Sequence, residues 1–286
     1  MFTLALLQMR VVGGEPERNL QRAETLLAEA AAHGAQCALL PEAMDLGWTH
    51  PSCRCAAEPI PGGIPCRRLA AAARTHGLYV CAGLVERDGE LVYNAAVILD
   101  PAGQVILKHR KLNELEIGHP YYAQGDRLNV CRTPLGTLGL LICADGLARD
   151  RVLAQALGYM GADVILSPSA WAVDADHDNR KDPYGGLWRR AYTPVARDFA
   201  VWIASVSNVG WITAGPWQGK QCIGCSQVVA PTGEEVLLGP YGVDAETILY
   251  VDIAAPERPA RGGAWAGHWE AQARIAGERQ PMTNDQ

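Results

Sequence analysis

Three reactive side chains stand where strands are predicted to end. Glu42 follows the apolar segment 37–41, Lys111 ends the segment 105–111, and Cys143 ends the segment 138–143. A thiol becomes nucleophilic when a base takes its proton, and a nearby cation stabilises the thiolate. A lysine ammonium can also bind the oxyanion of an acyl-transfer intermediate. Taken singly, such a glutamate is more often a solvated loop residue, such a lysine a solvent-exposed strand end, and such a cysteine a buried core residue. Together they have the chemistry of a thiol hydrolase.

The elements that must position these residues alternate between buried strands and amphipathic helices. Asp88-Gly89 lies between two apolar segments and indicates a β-hairpin, so some neighbouring strands must run antiparallel. This alternation predicts a layered α/β protein with a mixed sheet. The apolar runs predict strands at 2–9, 37–40, 78–87, 91–100, 105–111, 138–143, 164–167, 201–206, 227–230 and 248–253, and the helical spacings predict helices at 15–33, 66–76, 149–160 and 186–199.

Composition excludes several classes of protein. The 286 residues are 49% hydrophobic and 20% charged, as in globular proteins and unlike disordered or fibrous chains. A net charge of −6 argues against a general nucleic-acid binder. No apolar run approaches a membrane span, and the first residues, with no basic lead, predict a strand rather than a signal peptide.

Nine scattered cysteines argue against a disulfide scaffold, which is usually short and carries an even number. We therefore expect a cytoplasmic protein with reduced thiols. Cys222 and Cys225 have the spacing of a zinc knuckle, but no second Cys or His pair follows at a suitable distance. A non-catalytic, cysteine-rich metal or redox protein is the rival hypothesis from another class.

The three reactive residues lie in segments that resemble the signature blocks of the nitrilase superfamily, the carbon–nitrogen hydrolases. The segments are 39–42, 109–112 and 141–145, in the family's order. The likeness runs from about residue 2 to residue 253, and further similar blocks lie at 161–171, 188–199, 207–210, 224–226 and 231–234.

The resemblance implies a four-layer αββα sandwich with mixed sheets and a Glu-Lys-Cys triad. In this chain Cys143 would attack the carbonyl or nitrile carbon, Glu42 would move protons, and Lys111 with the backbone N–H of Ala144 would hold the oxyanion. The family uses no metal or organic cofactor, and its members commonly form homodimers or higher homo-oligomers. We expect a hydrolase domain over 1–255 and an arm or tail over 256–286.

Many family members carry a second glutamate after the lysine, and this chain has glycine at the matching position, Gly118. The nearest acids are Glu116 and Glu114. We expect Glu116 in this role, with Glu114 as the alternative. The remaining possibility is that both are loop carboxylates without a catalytic role.

Ala144-Asp145 follows the cysteine where true nitrilases usually have Trp-Glu, which favours a small linear amide or carbamoyl substrate over a nitrile. Aromatic residues that are candidates for the pocket wall are Trp48, Tyr121, Tyr122 and Trp171. The polar segment 171–186 is expected over the pocket mouth. Its candidates for recognition of a polar or charged amide are Asp174, His177, Arg180 and Lys181.

Overall fold

The computed structural model describes residues 1–257 together with positions 272 and 274. The expected C-terminal arm, 256–286, therefore lies almost entirely outside the described residues. No helix in the described part of the chain is long and apolar enough to cross a membrane.

Two large sheets dominate the described residues. The strands are β1 (Phe2–Gln8), β2 (Cys37–Leu39), β3 (Tyr79–Asp88), β4 (Leu91–Leu99), β5 (Val105–Arg110), β6 (Val130–Thr133), β7 (Gly136–Leu140), β8 (Val164–Ser169), β9 (Ala172–Val173), β10 (Trp202–Ser207), β11 (Val209–Trp211), β12 (Gln221–Ile223), β13 (Gln227–Val229), β14 (Glu235–Leu238) and β15 (Thr247–Ile253). The helices are α1 (Pro16–Ala32), α2 (Cys53–Ala56), α3 (Ile64–His76), α4 (Val152–Met160) and α5 (Gly186–Phe199).

Both large sheets are mixed and share one plan. The first has the order β15-β1-β2-β3-β4-β5, and β1, β2 and β3 run parallel at its centre. The second has the order β14-β13-β10-β8-β7-β6, with β10, β8 and β7 parallel. The outer pairings of both sheets are antiparallel, including the predicted hairpin of β3 and β4.

The layers follow from the alternation of side chains along the strands. In β1, Leu4 and Leu6 join the core shared with the second sheet, whereas Ala5 and Leu7 join the core beneath α1 and α3. Helices α4 and α5 cover the other face of the second sheet. The expected αββα sandwich is confirmed. Each fully buried leucine in it contributes about 1.5–3 kcal/mol of burial free energy.

The helix boundaries match the local signals. Helix α1 begins with Pro16, whose missing N–H costs nothing in the first turn. Its buried face includes Leu20, Ala23, Leu27 and Ala30, at the three- and four-residue steps of one helix face. Helix α3 ends at Gly77 with φ 65°, a left-handed cap that glycine adopts without strain.

Two boundaries near the site differ from the sequence prediction. Strand β7 ends at Leu140, so Cys143 begins a short 3₁₀ turn, Cys143–Leu147, rather than ending a strand. Helix α4 starts at Val152, because Asp150 and Arg151 have positive φ. The unpredicted strands β6, β9, β11, β12 and β14 have two to four residues each, too short for a recognisable apolar run.

Candidate active site

Glu42 is held where β2 leaves the first sheet. Its backbone N–H donates to the carbonyl of Ser169 at the end of β8, with N and O 3.2 Å apart, so this bond bridges the two sheets. A methyl group at Gly83 would lie 2.5 Å from the Cα of Glu42, so glycine there permits the close approach of β3. The Glu42 side chain is buried as a result.

Lys111 follows directly after β5, and its backbone N–H donates to the Asn94 carbonyl at 2.8 Å. Its Nζ donates to Glu42 Oε1 at 2.7 Å, and only 2% of the lysine side chain is exposed. Asn94 Nδ2 donates to the same oxygen at 2.7 Å. The carboxylate of Glu42 is therefore fixed in orientation by two donors.

Cys143 has φ 45°, in the left-handed region that costs a residue with a Cβ about 1–3 kcal/mol. The Ile142 N–H donates to Asp145 Oδ2 at 2.9 Å, which closes the turn on itself. Behind it, a methyl group at Gly146 would lie 2.8 Å from Tyr192 Cε1, so α5 packs directly against this turn. The turn presents the buried thiol to a cavity and holds it there.

Asp145 fixes the turn that carries Cys143 relative to the segment that carries Lys111, a role the sequence analysis missed. Its Oδ1 accepts from the N–H groups of Leu112 at 3.0 Å and Asn113 at 2.7 Å. Its Oδ2 lies 2.8 Å from His109 Nε2. Burial acts to raise the pKa of Asp145, but the hydrogen bonds and His109 lower it below its usual range. The sequence signal that could have indicated this role was an acidic residue, Asp145, two positions after Cys143.

The second carboxylate on Lys111 belongs to Glu114. Lys111 Nζ donates to Glu114 Oε1 at 3.0 Å, and Asn94 Nδ2 donates to Glu114 Oε2 at 3.0 Å. Glu116, the residue expected here, is exposed on a single 3₁₀ turn. Gly118 explains the difference, because a methyl group at this position would lie 2.7 Å from Glu114 Cγ. The missing side chain leaves the space that the Glu114 side chain occupies.

The charges of this cluster decide where the protons reside. Burial raises the pKa of Glu42, and Glu114 adds to the rise while Lys111 and Asn94 oppose it. Burial and Glu42 raise the pKa of the Cys143 thiol, although Lys111 opposes them. Burial acts to lower the pKa of Lys111, but Glu42, Glu114 and Cys143 outweigh it and raise that pKa. The resting site thus holds a neutral thiol and a lysine ammonium.

Cys143 opens into a cavity of about 170 Å³ that also exposes Glu42 and Lys111, and this is the candidate reaction cavity. Of the expected wall residues, Trp48 and Trp171 line it. Its full lining is Glu42, Trp48, Lys111, Leu115, Cys143, Ala144, Leu147, Ala170, Trp171, Ala172, Tyr184, Leu187, Trp188 and Trp217. Ala144, the expected source of a backbone oxyanion donor, is restrained by Asn113 Nδ2, which donates to its carbonyl at 2.6 Å.

Two residues expected to bind substrate, Tyr122 and His177, are not among the described residues that line this cavity. The Tyr122 hydroxyl accepts from the Thr49 N–H at 2.9 Å and contacts Cys53 Sγ at 3.2 Å, so its polar end is used in the core. His177 lines a separate surface cavity with Tyr241, their ring centroids 6.0 Å apart. The sequence expectation placed Tyr122 at the pocket as an aromatic wall residue and His177 as a polar group over its mouth, but residue type alone does not reveal which face of a loop a side chain occupies.

The other expected recognition groups of the segment 171–186 also point to partners outside the reaction cavity. Asp174 pairs with Lys220, and Lys181 Nζ lies 3.3 Å from Asp178 Oδ2. Arg180 lines the surface cavity that contains His177. Only Trp171, Ala172 and Tyr184 of this described segment reach the reaction cavity.

All nine cysteines are free, and Cys222 and Cys225 are both buried. Within the described ranges, no group of three or more His, Cys, Asp or Glu side chains is arranged to hold a metal ion.

Comparison with known proteins places these features in one family. The family model described as carbon-nitrogen hydrolase matches residues 3–260. A protein named nitrilase from Pyrococcus abyssi is 31% identical over 88% of this chain and 90% of its own length. A bovine (Bos taurus) protein named omega-amidase NIT2 is 31% identical over 88% of both chains.

A solved structure has the same fold. It is a mutant of the amidase from Nesterenkonia sp. AN1, in which acrylamide has undergone Michael addition at the active-site cysteine. It superposes with a TM-score of 0.74 at 21% identity, covering 96% of this chain and 99% of that one. The sandwich, the motif order and the family match together show that this chain belongs to the carbon–nitrogen hydrolase family of the nitrilase superfamily.

Proposed function

We propose that this carbon–nitrogen hydrolase is an amidase that cleaves small linear amides through Cys143. The observation that carries the proposal is the 2.7 Å contact between Lys111 Nζ and Glu42 Oε1, on the wall of the cavity that contains the Cys143 thiol. A base, a cation and a nucleophile thereby face one reacting centre, as covalent catalysis of acyl transfer requires.

In the first half of the reaction, Cys143 Sγ bonds to the amide carbon while Glu42 takes the thiol proton. The carbonyl oxygen becomes an oxyanion, and Lys111 Nζ and the Ala144 N–H stabilise it. The carbon–nitrogen bond then breaks, Glu42 returns the proton to the nitrogen, and ammonia or an amine leaves a thioester on Cys143. In the second half, Glu42 takes a proton from water, the hydroxide attacks the thioester, and the proton returns to sulfur as the acid departs.

The raised pKa of Glu42 suits this proton traffic, because a general acid–base works best when its pKa approaches the working pH. The thiol is neutral at rest, so deprotonation accompanies attack. We assign Glu114 as the positioning carboxylate, since it contacts both Lys111 and Asn94, the two donors to Glu42.

Nitrile hydrolysis is the second candidate, supported by the relative from Pyrococcus abyssi that is named nitrilase. The Ala144-Asp145 pair after the nucleophile favours amides. Ammonia release should be measured across matched amides, carbamoyl compounds and nitriles, with Cys143→Ala as the control. We expect turnover of amides, and intact-mass spectrometry should show an acyl adduct that Cys143→Ala lacks. A faster reaction with nitriles, or an adduct on another residue, would overturn the proposal.

We also propose a homodimer or higher homo-oligomer in the cytoplasm. Large apolar side chains are exposed on α4, among them Val152, Tyr159 and Met160. Sedimentation velocity should give a mass above one 30.7 kDa chain. Cell fractionation should place the protein with cytoplasmic markers, and a membrane-bound or secreted fraction would contradict the location.

A further inference from the structure

We infer that the acyl pocket selects neutral, apolar acyl groups up to the size of a benzene ring and rejects amides whose acyl chain carries a carboxylate. This inference rests on the proposed amidase function and specifies its substrate class. It departs from the sequence expectation that charged residues of the segment 171–186 recognise a polar or charged amide.

The cavity wall beyond the reacting residues is apolar. Leu115, Leu147 and Leu187 supply aliphatic surface, and four indole rings supply most of the remainder: Trp48, Trp171, Trp188 and Trp217. Trp171 and Trp188 stack with their centroids 4.7 Å apart, and Trp48 meets Trp217 edge-on at 4.9 Å. These paired rings give flat, fixed surfaces against which an apolar acyl chain loses contact with water.

Among the described residues that line the cavity, no cationic side chain is available to pair with a carboxylate on the substrate. Glu42 and Lys111 are the charged residues among the described side chains that form the wall, and Lys111 already bonds two carboxylates. Lys220 lies 5.5 Å from the Trp217 ring, but it pairs with Asp174.

Hydrogen-bond donors alone do not replace this charge. The buried indole N–H groups of Trp48 and Trp171 have no hydrogen-bond partner among the described residues, and they are neutral. A carboxylate taken from water into this cavity would remain unpaired, which is strongly unfavourable.

The size of the cavity limits the acyl group. An apolar cavity of about 150 Å³ in another protein accommodates benzene. The cavity here is about 170 Å³. A phenyl ring or an unbranched chain of four carbons beyond the carbonyl therefore fits, and larger groups must extend past Leu187 into solvent.

Pentanamide and glutaramate test the inference directly, because they differ only in a methyl group that becomes a carboxylate. We expect kcat/KM for pentanamide to exceed that for glutaramate about a hundredfold, since even one misplaced methylene is worth about 10–200-fold. Phenylacetamide should be hydrolysed at least as well as glutaramate. A ratio of pentanamide to glutaramate below ten would overturn the inference while leaving the amidase proposal intact.

A charge introduced at the rim tests the cause of the selection. Leu187 is 51% exposed on the cavity wall, so Leu187→Arg should lower the ratio at least tenfold by pairing with glutaramate. Leu91, 50% exposed on β4 and absent from the wall, provides the control Leu91→Arg, which should keep the wild-type ratio. An unchanged ratio in Leu187→Arg would show that the charge argument is wrong.

Binding separates failure of the inference from failure of the amidase proposal. If the wild-type protein hydrolyses no amide of the panel, the proposed function fails, and calorimetry on Cys143→Ala then decides the acyl preference. Tighter binding of pentanamide than of glutaramate supports the inference, and equal or weaker binding overturns it.

Discussion

Asp145 and His109 form a buried contact, 2.8 Å between Oδ2 and Nε2, that ties the turn that carries Cys143 to the strand that leads into Lys111. The other carboxylate oxygen accepts the N–H groups of Leu112 and Asn113. One side chain that lies outside the reaction cavity thus sets the distance between the thiol and the ammonium.

Asp145→Asn should weaken both the fold and catalysis, because it leaves His109 facing an amide and removes the carboxylate from a buried pair. We expect about 1–3 kcal/mol less free energy of unfolding by urea denaturation, because buried hydrogen-bond donors lose a carboxylate acceptor. The same change should lower kcat about a hundredfold, as a displacement of reacting groups by 1 Å does. Asp126→Asn, at an exposed position, is the matched control and should match the wild type in both measurements. Wild-type kcat in Asp145→Asn would remove its positioning role.

Lys111→Ala should lower kcat by about 10²–10³, the effect of removing one oxyanion donor. The loss should be in kcat more than in KM, since the interaction strengthens only as charge develops on oxygen. Steady-state kinetics on the best amide measure it. A loss of less than tenfold would exclude Lys111 as the oxyanion donor.

Glu114→Gln and Glu116→Gln form a matched pair for the second carboxylate. Glu114→Gln replaces an acceptor of the Lys111 ammonium with a neutral amide and removes a charge that raises the pKa of Glu42. We expect a lower kcat and a pH profile whose acidic limb shifts to lower pH. Glu116→Gln should keep wild-type kinetics. The assignment fails if the two variants behave alike.

Gly118→Ala tests the space that Glu114 occupies. The new methyl group would lie 2.7 Å from Glu114 Cγ, so the carboxylate must move away from Lys111. We expect a loss of kcat in the direction of Glu114→Gln. Gly62→Ala is the control, because its methyl group would meet its nearest neighbour, Pro59 Cγ, at an ordinary 3.9 Å. Equal activity in the two alanine variants would show that Glu114 does not depend on this space.

The stability of the fold should depend on pH through Asp45, a buried acid outside the reaction cavity. Burial outweighs its hydrogen bonds from Val85 and Leu46 and raises its pKa from 3.8 to about 7. The folded state therefore binds this proton more tightly than the unfolded state. The resulting stability is complete below the unfolded pKa, about 3.9, and is lost as the pH rises towards 7.

Between pH 4 and pH 8, wild-type unfolding free energy should fall relative to that of Asp45→Asn, by about 1.4 kcal/mol per unit of pKa difference. Urea titrations at several pH values measure the difference, with Asp126→Asn as the parallel control. A difference that stays constant with pH would contradict the prediction.

Sequence reasoning predicted the layers and the meeting of Glu42, Lys111 and Cys143, because strand ends and motif order are local features. It favoured Glu116 and named Glu114 only as the alternative, because the placement of Glu114 depends on the space beside Gly118, a relationship between two residues that spacing does not reveal. It placed Tyr122 at the pocket, because residue type does not show that the hydroxyl is engaged by the Thr49 backbone. It missed the short strands, whose pairing arises from the rest of the sheet.

The bond from the Glu42 N–H to the Ser169 carbonyl joins the two sheets beside the cavity that contains Cys143. The proposed base Glu42 and cation Lys111 follow strands of one sheet, and the proposed nucleophile Cys143 follows a strand of the other. Neither sheet carries a complete set of reacting groups, so partial unfolding that separates the two sheets abolishes activity rather than reducing it in part. Turnover therefore reports directly on the packing of the two sheets against each other. A mutation in the apolar interior between them, far from any substrate, would lower the catalytic rate.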